Sequence, residues 1–250
     1  MRLTDLFGRP LATEQVLPVL DAHGVVLVSE ADRVAVADRL SSLWRVRPHP
    51  HAGPDGWTVI APPPIPPSTP NSAGFTRSGL APHTDRSQSA RPPALLCFLV
   101  ESGPASGGES VLVDAKRICG TVAPAQLDVI GGSLWLGDPT KSVRLPLLSL
   151  DDGLLIVRYR NDRVAAPQSS SPGAAALLAE FERARDPILR RALRPGEGYL
   201  IHNHRILHGR TGFAGSRTGV RCLGSVDERS PYAFLNRGFR IHDAEPRDGR

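Results

Sequence analysis

Residues 81–87 read APHTDRS and place His83 and Asp85 two positions apart. In an extended segment the side chains at i and i+2 point to the same side of the chain. An imidazole and a carboxylate on one side of a strand supply two of the three protein ligands of a facial metal site. A His-x-Asp tripeptide alone predicts little, because the third ligand has to come from a distant part of the sequence.

The composition is that of a soluble globular protein. The chain has 250 residues, of which 40% are hydrophobic and 22% are charged. Its net charge of +5 comes from an arginine-rich composition in which Lys116 and Lys141 are the lysines. The basic residues form no block interleaved with aromatic residues, so no nucleic-acid partner is expected. An anionic substrate or cosubstrate is a more economical use of some of the arginines.

The cysteines and the apolar segments indicate a cytoplasmic protein. Cys97, Cys119 and Cys222 are widely spaced and form no CxxC motif, which is typical of reduced, mostly buried thiols. The first residues lack an apolar stretch after a basic start, so no signal peptide is expected. No run of 18 apolar residues occurs, so neither a transmembrane helix nor a membrane partner is expected.

The periodicity of apolar residues predicts many short strands with flanking helices. Helices are predicted over residues 13–23, 31–44 and 172–185. Strands are predicted at residues 25–28, 57–60, 94–100, 110–113, 133–136, 142–148, 154–159, 198–201 and 220–226. This pattern favours a single domain over residues 1–250 with a sandwich or jelly-roll barrel.

A proline-rich stretch leads into the His-x-Asp motif. Long loops in compact domains are usually functional or disordered. Residues 61–80 run directly into His83, so we expect an active-site lid there, with Phe75 and Arg77 facing a substrate. The polar residues 242–250 are expected to be a frayed tail.

The segment 198–211, GYLIHNHRILHGRT, contains three histidines, and Arg221 follows thirteen residues after the last of them. The chain therefore contains an ordered set of short motifs. They are His83-Thr84-Asp85, Pro93 and a hydrophobic strand, Gly107-Gly108-Glu109-Ser110, Asp114, Pro195-Gly196-Glu197, Asn203, His208-Gly209-Arg210-Thr211 and Arg221. This set resembles the clavaminate synthase and taurine dioxygenase superfamily of Fe(II)/2-oxoglutarate-dependent oxygenases.

The resemblance implies a mainly β, double-stranded β-helix fold (jelly roll, cupin-like) in which His83, Asp85 and His208 bind Fe(II). A non-haem iron site needs two imidazoles and a carboxylate on one face, which leaves the opposite positions for a bidentate 2-oxo acid and O2. In halogenating relatives a small residue replaces the carboxylate, so Asp85 favours oxygenation. By motif position Arg221 pairs with the distal carboxylate of 2-oxoglutarate, and Ser110 stands where relatives usually have threonine.

The other histidines are expected to have minor roles. His202 and His204 share strand parity with His208, but the family pattern places the ligand at the histidine of His-Gly-Arg-Thr. His202 and His204 are therefore predicted to be structural or to support the neighbouring ligands. The remaining histidines have no partner at a useful spacing and are predicted to be exposed; they are His23, His49, His51 and His242.

The substrate residues are predicted from position alone. Arg86 follows Asp85 directly, and alternation places Arg158 and Arg160 on one face, where an arginine would bind an amino-acid or other substrate carboxylate. A surface arginine cluster at a strand end is the alternative for that pair. Arg210 is expected to support its neighbours rather than to bind substrate.

The predicted reaction is hydroxylation of a small molecule with release of succinate and CO2, and desaturation or cyclisation stays open. The substrate implied by the resemblance is an amino acid or a specialised-metabolite intermediate, and the arginine-rich composition also allows an anionic small molecule. Two alternatives have other functions: a non-catalytic jelly-roll protein that binds a small molecule, and a zinc hydrolase that uses the same three ligands.

Overall fold

The computed structural model describes residues 1–63, 74–104, 106–138, 141–183 and 186–241. Within these ranges the chain is mostly β with few helices, as expected. The helices are α1 (Val16–His23), α2 (Arg33–Leu40), α3 (Ala115–Cys119), α4 (Pro124–Gly132) and α5 (Pro172–Arg183). The predicted tail at 242–250 and residues 64–73 of the predicted lid lie outside the described residues.

The strands are short and follow one another along the whole described chain. They are β1 (Arg2–Thr4), β2 (Val25–Ser29), β3 (Trp44–Val46), β4 (Trp57–Ile60), β5 (Leu80–His83), β6 (Leu95–Ser102), β7 (Ser106–Gly107), β8 (Ser110–Asp114), β9 (Leu134–Asp138), β10 (Lys141–Pro146), β11 (Leu148–Asp151), β12 (Leu154–Val157), β13 (Ala166–Ser169), β14 (Leu189–Arg191), β15 (Gly198–His202), β16 (Ile206–Arg210), β17 (Phe213–Ala214), β18 (Thr218–Val226) and β19 (Phe239–Arg240).

The main sheet is covered on both of its faces. Its strands are ordered β1-β2-β15-β6-β18-β3, and β4 also pairs with β18. The central strand β6 is apolar throughout, and its alternate side chains point to opposite faces of the sheet. Both faces of the sheet are therefore apolar and become buried. Leu95, Cys97 and Leu99 enter one hydrophobic core, whereas Leu96 and Phe98 enter another.

Helices α1 and α2 cover the outer face of the main sheet. Val16, Leu17 and Leu20 of α1 belong to the same core as the outward residues of β6. Gly24 ends α1 in the left-handed conformation (φ 74°), which glycine adopts without a steric penalty. At α2 the Asp32 side chain accepts a hydrogen bond from the Ala35 backbone N–H and so caps the helix start.

One predicted helix end was wrong. The helix expected to run to Trp44 ends at Leu40, and Trp44 begins strand β3, where it pairs with Val226 of β18. The indole is buried in the outer core, so packing against the main sheet overrides the helical spacing that includes Trp44 in the sequence.

A second sheet faces the inner side of the main sheet. Its strands are ordered β14-β8-β16-β5. Leu112 of β8 and Ile206 of β16 share the inner core with Leu96 and Ile201 of the main sheet. Because β16 lies between β8 and β5, residues of three strands are brought side by side next to this core.

A third group of elements supports the second sheet from the other side. Helices α3, α4 and α5 pack with strands β9, β11, β12 and β19 in a separate core. Tyr159 belongs to this core and stacks on Phe181 of α5 with ring centroids 5.1 Å apart. This contact fixes the start of the segment 158–165 beside the second sheet. None of the helices in the described ranges is both long and apolar enough to span a bilayer.

Candidate metal centre and its cavity

Three predicted metal ligands come together at the inner side of the second sheet. One ligand atom from each of His83, Asp85 and His208 lies within 4.8 Å of the other two. Asp85 Oδ1 is 3.8 Å from His83 Nε2 and 4.0 Å from His208 Nε2. All three side chains are buried. The arrangement offers two imidazole nitrogens and a carboxylate to one point.

Strand pairing brings the two histidines together. His83 at the end of β5 lies directly opposite His208 of β16, and the ring centroids are 4.5 Å apart. A backbone carbonyl can only accept, so the 2.9 Å contact between His83 Nδ1 and Ala81 O places the proton on Nδ1. The lone pair of His83 Nε2 then faces Asp85 and makes no hydrogen bond with the described residues. This is the tautomer that a metal requires.

The carboxylate is positioned through its backbone. The Asn203 side chain accepts a 2.8 Å hydrogen bond from the Asp85 N–H and donates a 3.0 Å bond to the Asp85 carbonyl. It also donates to the Pro93 carbonyl at 2.9 Å. Between the two ligands, the Thr84 N–H donates to the Tyr159 carbonyl at 2.8 Å. The His-x-Asp motif is thus held at two points.

The protonation states match those of a metal site. Burial lowers the pKa of His83 well below its ordinary value, and the nearby His208 and Arg160 lower it further. Burial, opposed by Asp85 and assisted by Arg221, lowers the pKa of His208 to about 4. Burial raises the pKa of Asp85, but Arg221 and the two histidines lower it more, so it ends below its ordinary value. Two neutral imidazoles face one carboxylate at neutral pH, and this donor set fits Fe(II).

Arg221 lies beside the carboxylate. Its Nη1 is 2.9 Å from Asp85 Oδ1 and 2.7 Å from Oδ2, so one nitrogen bridges both oxygens. Arg221 comes from β18 of the main sheet, next to Thr58 of β4. The predicted cosubstrate arginine therefore lies at the site, and its guanidinium is already paired with a predicted metal ligand.

The sequence prediction missed Arg217, a second guanidinium at the site. Arg217 is 4% exposed and makes no hydrogen bond or ion pair with the described residues. Its guanidinium carbon lies 5.1 Å from the centre of the Phe98 ring, and its Cδ packs against Gly108, two residues before Ser110. A buried cation without a partner is costly, so this end of the site is prepared for an anion. The sequence held one signal for Arg217. It lies four residues before Arg221, and residues an even number of positions apart lie on the same side of an extended chain.

The metal-binding residues open into a cavity of about 580 Å³ between the two sheets. His83, His208 and Ser110 reach it from the second sheet, while Phe98 and Tyr199 reach it from the main sheet. Six arginines line the cavity: Arg86, Arg160, Arg163, Arg210, Arg217 and Arg221. The space holds a small cosubstrate and a small substrate together.

Three of the five predicted substrate residues line this cavity, namely Phe75, Arg86 and Arg160. The other two, Arg158 and Arg77, do not line it. Arg158 is buried outside the cavity, where it donates to the carbonyls of Ser89, Ala90 and Pro146 and to the Ser149 hydroxyl. Arg77 is exposed and donates to the Gly215 carbonyl at 3.0 Å. The strand ends at Val157, so alternation does not extend over Arg158 and Arg160.

Two histidines predicted to be exposed contribute to the cavity wall. His49 and His51 line it together with Phe75. Their rings lie edge to face with centroids 5.2 Å apart, and the His51 ring is 6.0 Å from the Phe75 ring. His49 is only partly exposed, although His51 is exposed as predicted. His49 stands at no characteristic spacing from the metal motif in the sequence. Tertiary packing alone brings it to the same cavity.

His202 and His204 do not take part in the cavity. His202 Nε2 lies 2.9 Å from the Leu235 carbonyl, and His204 Nε2 lies 3.1 Å from the Pro92 carbonyl. Both rings are buried, and neither lines the cavity. Arg210 lines the cavity, but its guanidinium donates to the backbone carbonyls of Gly74, Thr76 and Ser78. It therefore supports the chain before the metal motif, as predicted from the sequence.

A family model and several solved structures are similar to this chain. The model described as taurine catabolism dioxygenase TauD, TfdA family matches residues 2–223. PvcB of Pseudomonas aeruginosa, an Fe, alpha-ketoglutarate-dependent oxygenase from an isonitrile synthetic pathway, is 14% identical with a TM-score of 0.60, covering 86% of this chain and 80% of PvcB. Asparagine oxygenase, solved with Fe(II), 3-hydroxyasparagine and succinate, is 13% identical with a TM-score of 0.59, covering 87% of this chain and 80% of that protein. At these identities the structural likeness concerns the fold.

Proposed function

Because the chain belongs to the TauD/TfdA family of Fe(II)/2-oxoglutarate-dependent dioxygenases, we propose that it hydroxylates a small molecule with release of succinate and CO2. The observation that carries the proposal is the convergence of His83, Asp85 and His208 at one end of the cavity. These residues would hold Fe(II), which together with 2-oxoglutarate and O2 supplies the oxidising chemistry. The chain itself orients the substrate and keeps water out of the cavity.

We propose that the two facing sheets form a double-stranded β-helix in one oxygenase domain. Two features support this. The cavity has walls from both sheets, and strand β1, near the start of the chain, shares its sheet with β18. A barrel of this kind places ligands from adjacent strands at its mouth and leaves its interior for a small molecule.

We assign the distal carboxylate of 2-oxoglutarate to Arg217 and Ser110. Arg217 is a buried cation that has no anionic partner among the residues the structure describes, whereas the Arg221 guanidinium already bridges both oxygens of Asp85. A 2-oxo acid that chelates the metal carries its second carboxylate at the far end of its carbon chain, away from the metal ligands. The guanidinium carbon of Arg217 lies 5.1 Å from the centre of the Phe98 ring and 6.0 Å from that of the Phe213 ring. These rings lower the local dielectric, which strengthens a charge-assisted bond. The role predicted for Arg221 stays a prediction.

Arg221 has a different part in this scheme. By bridging both oxygens of Asp85, it keeps the carboxylate ionised and fixes its orientation toward the two histidines. The predicted substrate, an amino acid or a specialised-metabolite intermediate, stays a prediction at this stage. The cavity volume restricts it to a small molecule.

The experiment is anaerobic addition of Fe(II) and 2-oxoglutarate to the full chain, followed by exposure to O2. We expect the visible charge-transfer band of an Fe(II)–2-oxo acid chelate, and then succinate. In Asp85→Ala both signals should be lost, while Asp128→Ala, at an exposed position on α4, should retain them. A wild-type protein that shows neither band nor succinate overturns the proposal, and retention of a bound Zn(II) with hydrolytic activity would replace it.

A second pair of variants tests the identity of the distal ligand. His208→Gln should abolish the chelate band, because it removes an imidazole that faces Asp85. His204→Gln is the matched control, because His204 is also buried and lies four residues away, but does not line the cavity. Loss of the band in both variants would show that the assay reports folding rather than ligation.

A further inference from the structure

The cavity contains more cationic groups than the cosubstrate uses. Of its six arginines, Arg210 donates to backbone carbonyls, Arg221 pairs with Asp85, and Arg217 is assigned to 2-oxoglutarate. Arg86, Arg160 and Arg163 are left. A substrate that enters this cavity has to be recognised within their field, and cationic walls concentrate anions.

Arg160 lines the cavity and is held in place beside the metal motif. Its Nε donates to Asp162 Oδ2 at 2.7 Å, and Asp162 Oδ1 accepts from the Val164 N–H at 2.8 Å. The preceding residue, Tyr159, is bonded to Thr84 of the metal motif. The terminal Nη nitrogens of Arg160 make no hydrogen bond with the described residues.

Arg86 reaches the cavity from an unusual backbone conformation. Its φ of 57° lies in the left-handed region, which is uncommon for a residue with a side chain. Hydrogen bonds hold the backbone on both sides of this position. The Asn203 side chain donates to the Asp85 carbonyl, and the Ser89 N–H donates to the Arg86 carbonyl. The Arg86 guanidinium lines the cavity, is exposed, and is bonded to none of the described residues. It is therefore free to bind a solute.

His49 adds a neutral donor to the same wall. The His51 backbone N–H donates to His49 Nδ1 at 3.1 Å, so the proton of the neutral ring is on Nε2. Burial, assisted by Arg221 and Arg86 and opposed by Asp85, lowers the pKa of His49 to about 4. At neutral pH the ring thus offers an N–H donor near two guanidinium groups.

The carboxylates near these groups are already engaged. Asp85 is paired with Arg221, and Asp162 is paired with Arg160 and caps the backbone at Val164. The sequence of residues 64–73, which precede the cavity-lining Phe75, contains neither aspartate nor glutamate. Among the described residues of the wall, the charged groups without an ionic partner are therefore the cations Arg86 and Arg163, which attract a carboxylate but repel an ammonium group. Arg160 is paired with Asp162 and contributes its Nη nitrogens, which are not bonded to the described residues, as hydrogen-bond donors.

We propose that the substrate is a small organic anion whose carboxylate or other acidic oxyanion is bound by Arg160, Arg86 and the His49 N–H, and that it is not a free α-amino acid. This inference rests on the proposed oxygenase function and specifies its substrate class. It narrows the prediction from the sequence, which allowed an amino acid. Arg163 lines the exposed rim of the same wall and adds to the field that attracts the anion.

The test is anaerobic calorimetry on the full chain loaded with Fe(II) and 2-oxoglutarate. The probes are a panel of small carbon skeletons, each supplied as carboxylate, primary amide and α-amino acid. We expect binding among the carboxylates, with affinities about tenfold or more weaker in Arg160→Gln and Arg86→Gln. Arg183→Gln, which removes an exposed arginine of α5 paired with Glu180, should bind like the wild type. Retention of the chelate band shows that each variant is folded and loaded.

Three results would overturn the inference. If amides or amino acids bind as tightly as the matched carboxylates, the negative charge of the substrate is not what the cavity recognises. Acid affinities unchanged in both Arg160→Gln and Arg86→Gln would show that the wall is not the binding site. Failure of every carboxylate to bind at millimolar concentration would exclude an anion of this size. Each result differs from failure of the proposed function, which is the absence of the chelate band in the wild type before any probe is added.

Discussion

The side chain of Asn203 holds the backbone of Asp85 from both sides. Its Oδ1 accepts from the Asp85 N–H at 2.8 Å, and its Nδ2 donates to the Asp85 carbonyl at 3.0 Å. The two residues are 118 positions apart in the sequence. Asn203 follows strand β15 of the main sheet, whereas Asp85 follows β5 of the second sheet. The clamp therefore connects the two sheets directly behind the metal ligand.

Asn203→Ala should weaken Fe(II) binding more than it alters the fold. Loss of a partner that orients a metal ligand typically costs about 10–100-fold in metal affinity. The Fe(II) affinity is measured by adding Fe(II) to the protein at saturating 2-oxoglutarate and following the chelate band. Asn236→Ala is the matched control, because Asn236 clamps the N–H and carbonyl of Val226 in the same way away from the cavity. Equal Fe(II) affinities in the two variants would contradict a positioning role for Asn203.

Arg217→Met and Arg221→Met should have different kinetic effects. Without Arg217 the distal carboxylate of 2-oxoglutarate loses a charge-assisted partner, so KM for 2-oxoglutarate should rise about tenfold or more. Without Arg221 the carboxylate of Asp85 loses the cation that orients it, so the Fe(II) affinity should fall first. Succinate formation against 2-oxoglutarate concentration, at saturating Fe(II), separates the two. A KM that rises only in Arg221→Met would restore the assignment made from the sequence.

Gly209→Ala should separate the two histidine ligands. A Cβ at Gly209 would lie 2.5 Å from the Leu80 carbonyl oxygen and 2.8 Å from the Pro82 nitrogen, so β5 would have to move away from β16. We expect a loss of about 1–3 kcal/mol of unfolding free energy together with a lower Fe(II) affinity. Gly212→Ala is the control, since the nearest atom to its Cβ, the Gly79 nitrogen, is at 3.5 Å. Denaturant unfolding and Fe(II) titration are carried out on both variants. Equal stability and equal Fe(II) affinity in Gly209→Ala and Gly212→Ala would contradict the prediction.

The metal-free protein should lose stability as the pH falls from about 6.5 toward 4. Burial lowers the pKa of His83, His202, His204 and His208 in the folded chain. The unfolded chain binds protons at these histidines near pH 6.5, while the folded chain does not, so the unfolding free energy decreases with falling pH. The slope is up to about 1.4 kcal/mol per pH unit for each histidine.

Denaturant unfolding between pH 4.5 and 8 measures this slope. His204→Gln keeps a donor for the Pro92 carbonyl but removes one titrating group, so its slope should be shallower than that of the wild type. A stability that is flat over this range, or that rises as the pH falls, would mean that the buried histidines are already protonated in the folded state.

The sequence by itself predicted the mostly β character, several of the strands and the three residues that meet at the candidate metal centre. Alternating and continuous apolar runs predict β4, β6, β8, β15 and β18 because strand formation depends on local side-chain patterns. The ligands were recognisable because His-x-Asp and His-Gly-Arg-Thr are short motifs that stand in a characteristic order. Their coming together follows from the pairing of β5 with β16 and from the Asn203 clamp on Asp85, which the motifs themselves do not encode.

Only the tertiary structure decided the charge environment of the site. Arg158 and Arg160 look equivalent in the sequence, but the strand ends before them, so one becomes buried structural support and the other faces the cavity. Arg221 pairs with Asp85, whereas Arg217 makes no hydrogen bond or ion pair within the described part of the chain. This difference depends on distances between the two sheets. Burial and ion pairing are properties of the packed chain, because each depends on residues that are distant in sequence and brought together by folding.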